Sequence, residues 1–182
     1  MSECKGSNLV FIRKIVQAAG PEKTEALLTK LSSEEKSAFQ SALPSAWVST
    51  VLVSRLFEIA ADILFPGDSQ GLRLLGRELA RDQFRSGIYR AFLRLSTVAF
   101  VISQVATIWQ IYHRQGRATC TWEKNEKKCD IVVVDYPEFP AAFQEEVAGF
   151  LWGMAELTGV KNIRILRDSA NPQAWKWTIL WE

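Results

Sequence analysis

The sequence predicts an α+β fold, an N-terminal helical bundle packed on a C-terminal β-β-α-β-β unit whose four strands form an antiparallel sheet. Three observations predict it. Apolar residues recur at helical spacing up to about residue 115, the period drops to two after Gly116, and one long amphipathic stretch separates two pairs of alternating segments. With 182 residues, 48% of them hydrophobic, the chain fits a single domain, with a helical layer over 1–115 and a sheet-plus-helix layer over 116–182.

The first helix spans 8–18, with Leu9, Ile12 and Val16 on one face, and stops at Gly20-Pro21, where proline cannot continue the hydrogen-bond ladder. Two short helices follow over 22–31 and 33–42, the second opened by Ser32 or Ser33 as N-cap. A helix over 45–64, starting after Pro44, aligns Trp47, Val51, Ser54, Leu56, Ile59 and Ile63 and breaks at Phe65-Pro66-Gly67-Asp68. Another covers 69–85, Ser86-Gly87 interrupts, and an uncharged helix covers 97–112.

In the second half, RATCTWEK and CDIVVVD read as a hairpin around the polar turn Lys124-Asn125-Glu126-Lys127. A turn centred between Lys124 and Asn125 sets Cys120 opposite Cys129. The helix from Pro137 to Thr158 turns Phe143, Val147, Phe150, Leu151, Met154 and Leu157 inward and closes at Gly159. Strands over 160–166 and 174–180 complete the sheet; Trp175, Trp177, Ile179 and Trp181 share one side of the last.

A net charge of +2, from 22 basic and 20 acidic residues, gives no bulk attraction to nucleic acid. The stretch Leu95 to His113 has no formal charge, yet it carries Ser96, Thr97, Ser103, Gln104, Thr107 and Gln110, which favours a packed central helix over a membrane span. The absence of a signal-like N-terminus and an odd count of three cysteines, none in a CxxC, predict a cytoplasmic protein with reduced thiols.

No nucleophile stands beside a base, and the chain lacks GxSxG, HExxH, a P-loop and GxGxxG, so the expectation is a protein that is not an enzyme. Glu145 and Glu146 are adjacent and point to different sides of a helix, which suits solvent better than acid–base work. His113, the only histidine, ends a helix, where a protonated imidazole meets the negative end of the dipole. Its spacing to Cys120 and Cys129, H-x6-C-x8-C, matches no recognised zinc site, and no metal is expected. The cysteine pair reads as small buried hydrophobes, with a reversible redox bridge as the alternative.

Arg73, Arg77, Arg81 and Arg85 recur every fourth residue and form a stripe suited to contact with an anion or an acidic partner; Glu78 and Asp82, interleaved, offer a solvated, internally paired face as the alternative. Gly149 and Gly153 leave a smooth patch on the long helix, open to the sheet, the bundle or a homodimer partner. Phe100, Trp109, Phe150 and Met154 are the candidate walls of a pocket between bundle and sheet, where a cavity of roughly 300 to 1,000 Å³ is expected if a ligand binds.

Pro44 and Trp47, Leu64-Phe65-Pro66-Gly67, Leu75-Gly76-Arg77 and the stretch from Gly149 to Gly159 resemble, in that order, an uncharacterised bacterial family known mainly from myxobacteria. The architecture is more distantly similar to haem nitric-oxide/oxygen-binding domains and to 4-vinyl-reductase-type small-molecule-binding domains. That resemblance implies a sensory or regulatory domain binding a small, largely apolar molecule between bundle and sheet. The alternative is a protein-interaction or homodimerisation module without a ligand. A haem-binding member would carry its proximal histidine in the last bundle helix and a Tyr-x-Ser-x-Arg motif on a strand; Thr97 to Ile111 has no histidine, and Tyr89, Tyr112 and Tyr136 do not begin the motif. No cofactor is therefore expected, with haem rejected. The paired cysteines of the 4-vinyl-reductase type are also missing between Val160 and Glu182.

Overall fold

Helix α1 (Ser7–Ala18) forms where Leu9, Ile12 and Val16 make an apolar stripe, and all three are buried. Pro21 occupies the first turn of α2 (Pro21–Thr29), where its missing N–H needs no partner. Helix α3 (Ser33–Ser41) opens with a complete capping box: the Glu35 N–H donates to Ser32 Oγ at 3.2 Å, and the Ser32 N–H donates to the Glu35 carboxylate at 2.9 Å. The computed structural model describes residues 2–84, 98–122, 126–136, 139–171 and 173–182. Arg85, the Ser86-Gly87 break, the Lys124-Asn125 turn centre and Pro137 lie outside these residues.

The helix expected from residue 45 begins five residues later, as α4 (Thr50–Leu64), and Val51 on it is exposed rather than buried. Trp47–Ser49 is instead strand β2, antiparallel to β1 (Glu3–Lys5), with Cys4 paired to Val48. Cys4 also bridges to His113, so the N-terminal strand meets the far end of the bundle. Helix α5 (Gly71–Gln83) follows, then α6 (Val98–Ser103) and α7 (Val105–Tyr112), two segments where one helix was expected.

Gly116 turns the chain into the sheet with φ +79°; a Cβ there would lie 2.8 Å from the Tyr136 ring and 3.1 Å from Trp109 Nε1, so both backbone conformation and space require glycine. Strands β3 (Arg117–Trp122) and β4 (Lys128–Val134) form the first hairpin, and β5 (Arg164–Asp168) and β6 (Ala174–Leu180) the second. The order β3-β4-β6-β5 makes a four-stranded antiparallel sheet. This is the α+β architecture that the change of period predicts.

Helix α8 (Ala141–Leu157) lies between the sheet and the bundle, which is why it is buried on more than its aromatic side. Its crossing with α5 is backbone on backbone: a Cβ on Gly149 would stand 2.0 Å from the Arg73 carbonyl oxygen, and one on Gly76 2.0 Å from that of Glu146. The glycine patch thus serves an internal helix crossing rather than a homodimer contact. The core runs without a break from Leu9 in α1 to Trp177 and Ile179 in β6.

Candidate functional site

Where α1, α5, α7 and α8 meet the inner face of the sheet they leave a cavity of about 60 Å³. Its wall is largely apolar: Leu79 of α5, Trp109 of α7, Phe143, Phe150 and Met154 of α8, and Ile131 and Trp177 of the sheet. Three of the four expected wall residues, Trp109, Phe150 and Met154, are brought together here. Phe100 is not; on α6 it stays 44% exposed. The volume is far below the expected 300 to 1,000 Å³ and corresponds to about two water molecules at about 30 Å³ each.

The lining also includes the polar side chains of Asn8, Gln83, Tyr112, His113 and Glu146. The Asn8 amide donates to Cys4 Sγ at 3.7 Å. Both amide atoms of Gln83 and Nδ1 of His113 are buried with no hydrogen-bond partner among the described residues. Glu146 is buried, and no hydrogen bond or ion pair among the described residues reaches its carboxyl; burial alone pushes it up to about 8, so it is a neutral acid at pH 7. Unsatisfied buried groups of this kind are uncommon in proteins and collect where something else is to be bound.

His113 caps α7, with its N–H donating to the Trp109 carbonyl at 2.8 Å. Its ring stacks on Trp109 with centroids 3.9 Å apart and meets Phe143 at 5.7 Å, Tyr136 at 6.1 Å and Phe139 at 6.3 Å. Enclosed by these rings, the imidazole is pushed by burial down to about 3 and stays uncharged. The protonated, dipole-facing histidine expected from its place at a helix end is therefore corrected: the Cys4 bridge and the aromatic ring cluster take it out of water.

The arginine stripe is committed internally. The Arg73 Nε donates to Glu145 at 2.6 Å, and Arg77 grips Glu156 through two bonds of 2.8 and 2.6 Å while stacking on Trp152. Arg81 bridges Glu156 and Glu78. Arg73, Arg77 and Arg81 thus clamp α5 to α8 beside the glycine crossing; Arg85 lies outside the described residues.

The expectation that Glu145 and Glu146 both face solvent is overturned: Glu145 pairs with Arg73 and Arg167, and Glu146 is buried. A signal for Glu146 was present, since it falls within the Phe143, Val147, Phe150 stripe of α8, one turn from aromatics on either side. Asn8 and Gln83 carried only the weaker one of sharing an apolar face with Ile12 and Leu79. Among the described residues no cluster of three or more histidine, cysteine or acidic side chains could hold a metal ion, and no helix is long and apolar enough to cross a membrane.

No family model matches the sequence, and no curated protein matches it. Solved structures do. An H-NOX protein from S. oneidensis in its Fe(II)NO state superposes with a TM-score of 0.72 at 13% identity, over 98% of this chain and 99% of that one. A mutant H-NOX protein from K. algicida, Fe(II) and unliganded, gives 0.70 at 11% identity over 98% and 96%. An oxygen-binding H-NOX domain related to soluble guanylate cyclases, in its oxygen complex, gives 0.62 at 11% identity over 97% and 92%. The chain therefore has the H-NOX fold, from end to end.

This finding corrects the expectation of no cofactor. Structures of this fold are seen with iron in Fe(II), Fe(II)NO and oxygen-bound states. The lack of a histidine between Thr97 and Ile111 does not dispose of haem, because His113 closes the same helical segment and turns into the seam. Its chemistry would suit holding an iron: an uncharged imidazole with a nitrogen that has no partner among the described residues, lining a cavity walled by aromatic rings.

Proposed function

We propose that this chain is a non-catalytic sensory domain whose input is a small molecule taken into the seam between bundle and sheet, with haem as the group His113 would hold. The buried polar atoms of Gln83 and His113 that have no hydrogen-bond partner among the described residues, beside the buried Glu146 carboxyl on the same cavity, carry this reading. When bound, haem would supply an iron centre at which a small molecule can coordinate.

What the chain's own residues do follows from their chemistry. The Trp109 indole fixes the His113 ring by stacking and is itself anchored by donating to the Gln115 carbonyl at 3.0 Å. Trp177 seals the sheet side and is held by donating to the Gln144 carbonyl at 3.2 Å. The neutral Glu146 acid offers an O–H donor and a carbonyl acceptor, and the Gln83 amide offers both as well, so the site suits a guest that can hydrogen bond rather than one that is wholly apolar. With about 60 Å³ available, the closed seam admits a molecule of a few atoms. A porphyrin, in the size class of ligands that take roughly 300 Å³ or more, requires α5 and α7 to part from α8.

Such parting supplies a physical output. The α5–α8 crossing is held by the Arg73, Arg77 and Arg81 clamps, so a guest that spreads the seam strains those ion pairs and moves the helices on the outer surface. The test is a titration of the purified protein with hemin, followed by visible absorption, beside native mass spectrometry of untreated protein. The reading expects a Soret band that shifts on binding and is lost in His113→Ala, or a co-purifying small molecule. Protein that is empty as purified and leaves the hemin spectrum unchanged refutes it.

A further inference from the structure

Cys120 and Cys129 lie outside the seam site and do nothing for it. The observed register pairs Cys120 with Ile131 and Trp122 with Cys129, a shift of two from the one that would set the cysteines directly opposite. Parity survives a shift of two, so both side chains remain on one face of the sheet as diagonal neighbours. Their Sγ atoms are 3.0 Å apart, and both thiols are free. A disulfide is about 2.05 Å long, so closure needs an approach of about 1 Å.

We propose that Cys120 and Cys129 form a two-electron redox site, oxidised by a peroxide to an intramolecular disulfide and restored by an external thiol. The two sulfurs have different surroundings, which divides the roles. Cys129 is buried against the sheet interior beside Ile179, whereas Cys120 sits half-buried on β3, an edge strand, where a small oxidant reaches it. The contact between them holds the Cys120 thiol below its ordinary range and pushes Cys129 up, so Cys120, which is also the more exposed of the two, is the sulfur that ionises more readily. Cys4, fully buried and pushed by burial up to about 12, is the inert thiol of the same chain.

The chemistry balances in two steps. The Cys120 thiolate attacks one peroxide oxygen, the O–O bond breaks, and the other oxygen leaves as hydroxide that takes a proton to become water; Cys120 is then a sulfenic acid. Cys129 sulfur attacks Cys120 sulfur, the S–O bond breaks, and the hydroxyl leaves with the Cys129 proton as a second water. The two thiols lose two electrons and two protons, and one hydrogen peroxide becomes two waters. An external dithiol reverses this through a mixed disulfide, leaving itself oxidised.

The experiment uses the full chain, reduced, desalted and treated with equimolar hydrogen peroxide, then unfolded, alkylated and weighed intact. The expected product has lost two hydrogens, takes one alkyl group at Cys4 instead of three, and yields a peptide pair joined through Cys120 and Cys129. Cys129→Ser should stop at a sulfenic acid on Cys120 that a dimedone probe captures, and Cys120→Ser should react at least tenfold more slowly than wild type. Circular dichroism confirms that each variant is folded. Three alkylatable thiols after treatment, added oxygen without a linked peptide, or equal rates in the two variants would each overturn the proposal.

Discussion

Replacing Glu146 with glutamine should make this protein more stable at pH 8 and leave it unchanged at pH 4. The carboxyl moves from its ordinary 4.5 up to about 8 on folding because it is buried, with no partner among the described residues. Below pH 4.5 the acid is protonated in both folded and unfolded chains, and its neutral form fits the seam. Between 4.5 and 8 the unfolded chain ionises while the folded one holds its proton, so stability falls as pH rises; above 8 the loss levels off. At about 1.4 kcal/mol for each pH unit the full loss is on the order of 5 kcal/mol. Glutamine keeps the shape of the protonated acid and cannot ionise. For a domain of this size about 2–4 °C accompany each kcal/mol, so the midpoints of wild type and E146Q should coincide near pH 4 and separate by about 10–20 °C at pH 8. His113 titrates in both proteins and drops out of the difference. Differential scanning fluorimetry from pH 4 to 9 reads this directly, and a gap that stays constant across that range refutes an unpartnered, buried Glu146.

His113 should act with the opposite sign: its imidazole is held down to about 3, so the unfolded chain takes up a proton as pH falls below 6.5 and stability is lost toward pH 3. His113→Phe should flatten that acid limb in urea unfolding at pH 4 relative to pH 7, while an unchanged limb would mean that the ring is already in water. Gly149→Ala sets two effects against each other. Helix propensity favours alanine by about 1 kcal/mol, but its Cβ would lie 2.0 Å from the Arg73 carbonyl oxygen, which calls for an overpacking loss of about 3 kcal/mol. A net destabilisation of about 2 kcal/mol is expected from chemical denaturation, and a stabilised variant would show that α5 and α8 do not cross there.

The features legible in the sequence were those set by local rhythm. Leu9, Ile12 and Val16 announce their helix by spacing alone, Ser32 with Glu35 announces a cap, and the alternation from Ala174 to Leu180 defines its strand because each side chain's direction follows from the one before. Strands β1 and β2 are three residues each, too short to display a period of two, and Trp47–Ser49 carries residues that also suit the first turn of a helix. The hairpin register escaped because Lys124-Asn125-Glu126-Lys127 contains none of the pairs that dictate a two-residue turn. At the seam, Trp109, Phe150 and Met154 were recognisable as aromatic and apolar faces. Glu146 was set aside for its neighbour Glu145, although the two stand about 100° apart on a helix and meet different surroundings. The partners of the arginine stripe were sought one turn away on α5, whereas Arg73 and Arg77 find Glu145 and Glu156 on α8, a pairing that only the tertiary crossing creates.

The bridge from Cys4 to His113 has a consequence for the order in which the molecule can be completed. Glu3–Lys5 is synthesised before either of its partners, and at 5–20 residues per second the stretch leading to His113 takes on the order of 10 s to follow. Until then the first strand has no edge to join there and the histidine has no place to dock. Closure of this latch is therefore a long-range event during biosynthesis, joining two stretches of backbone that are 109 residues apart in the chain.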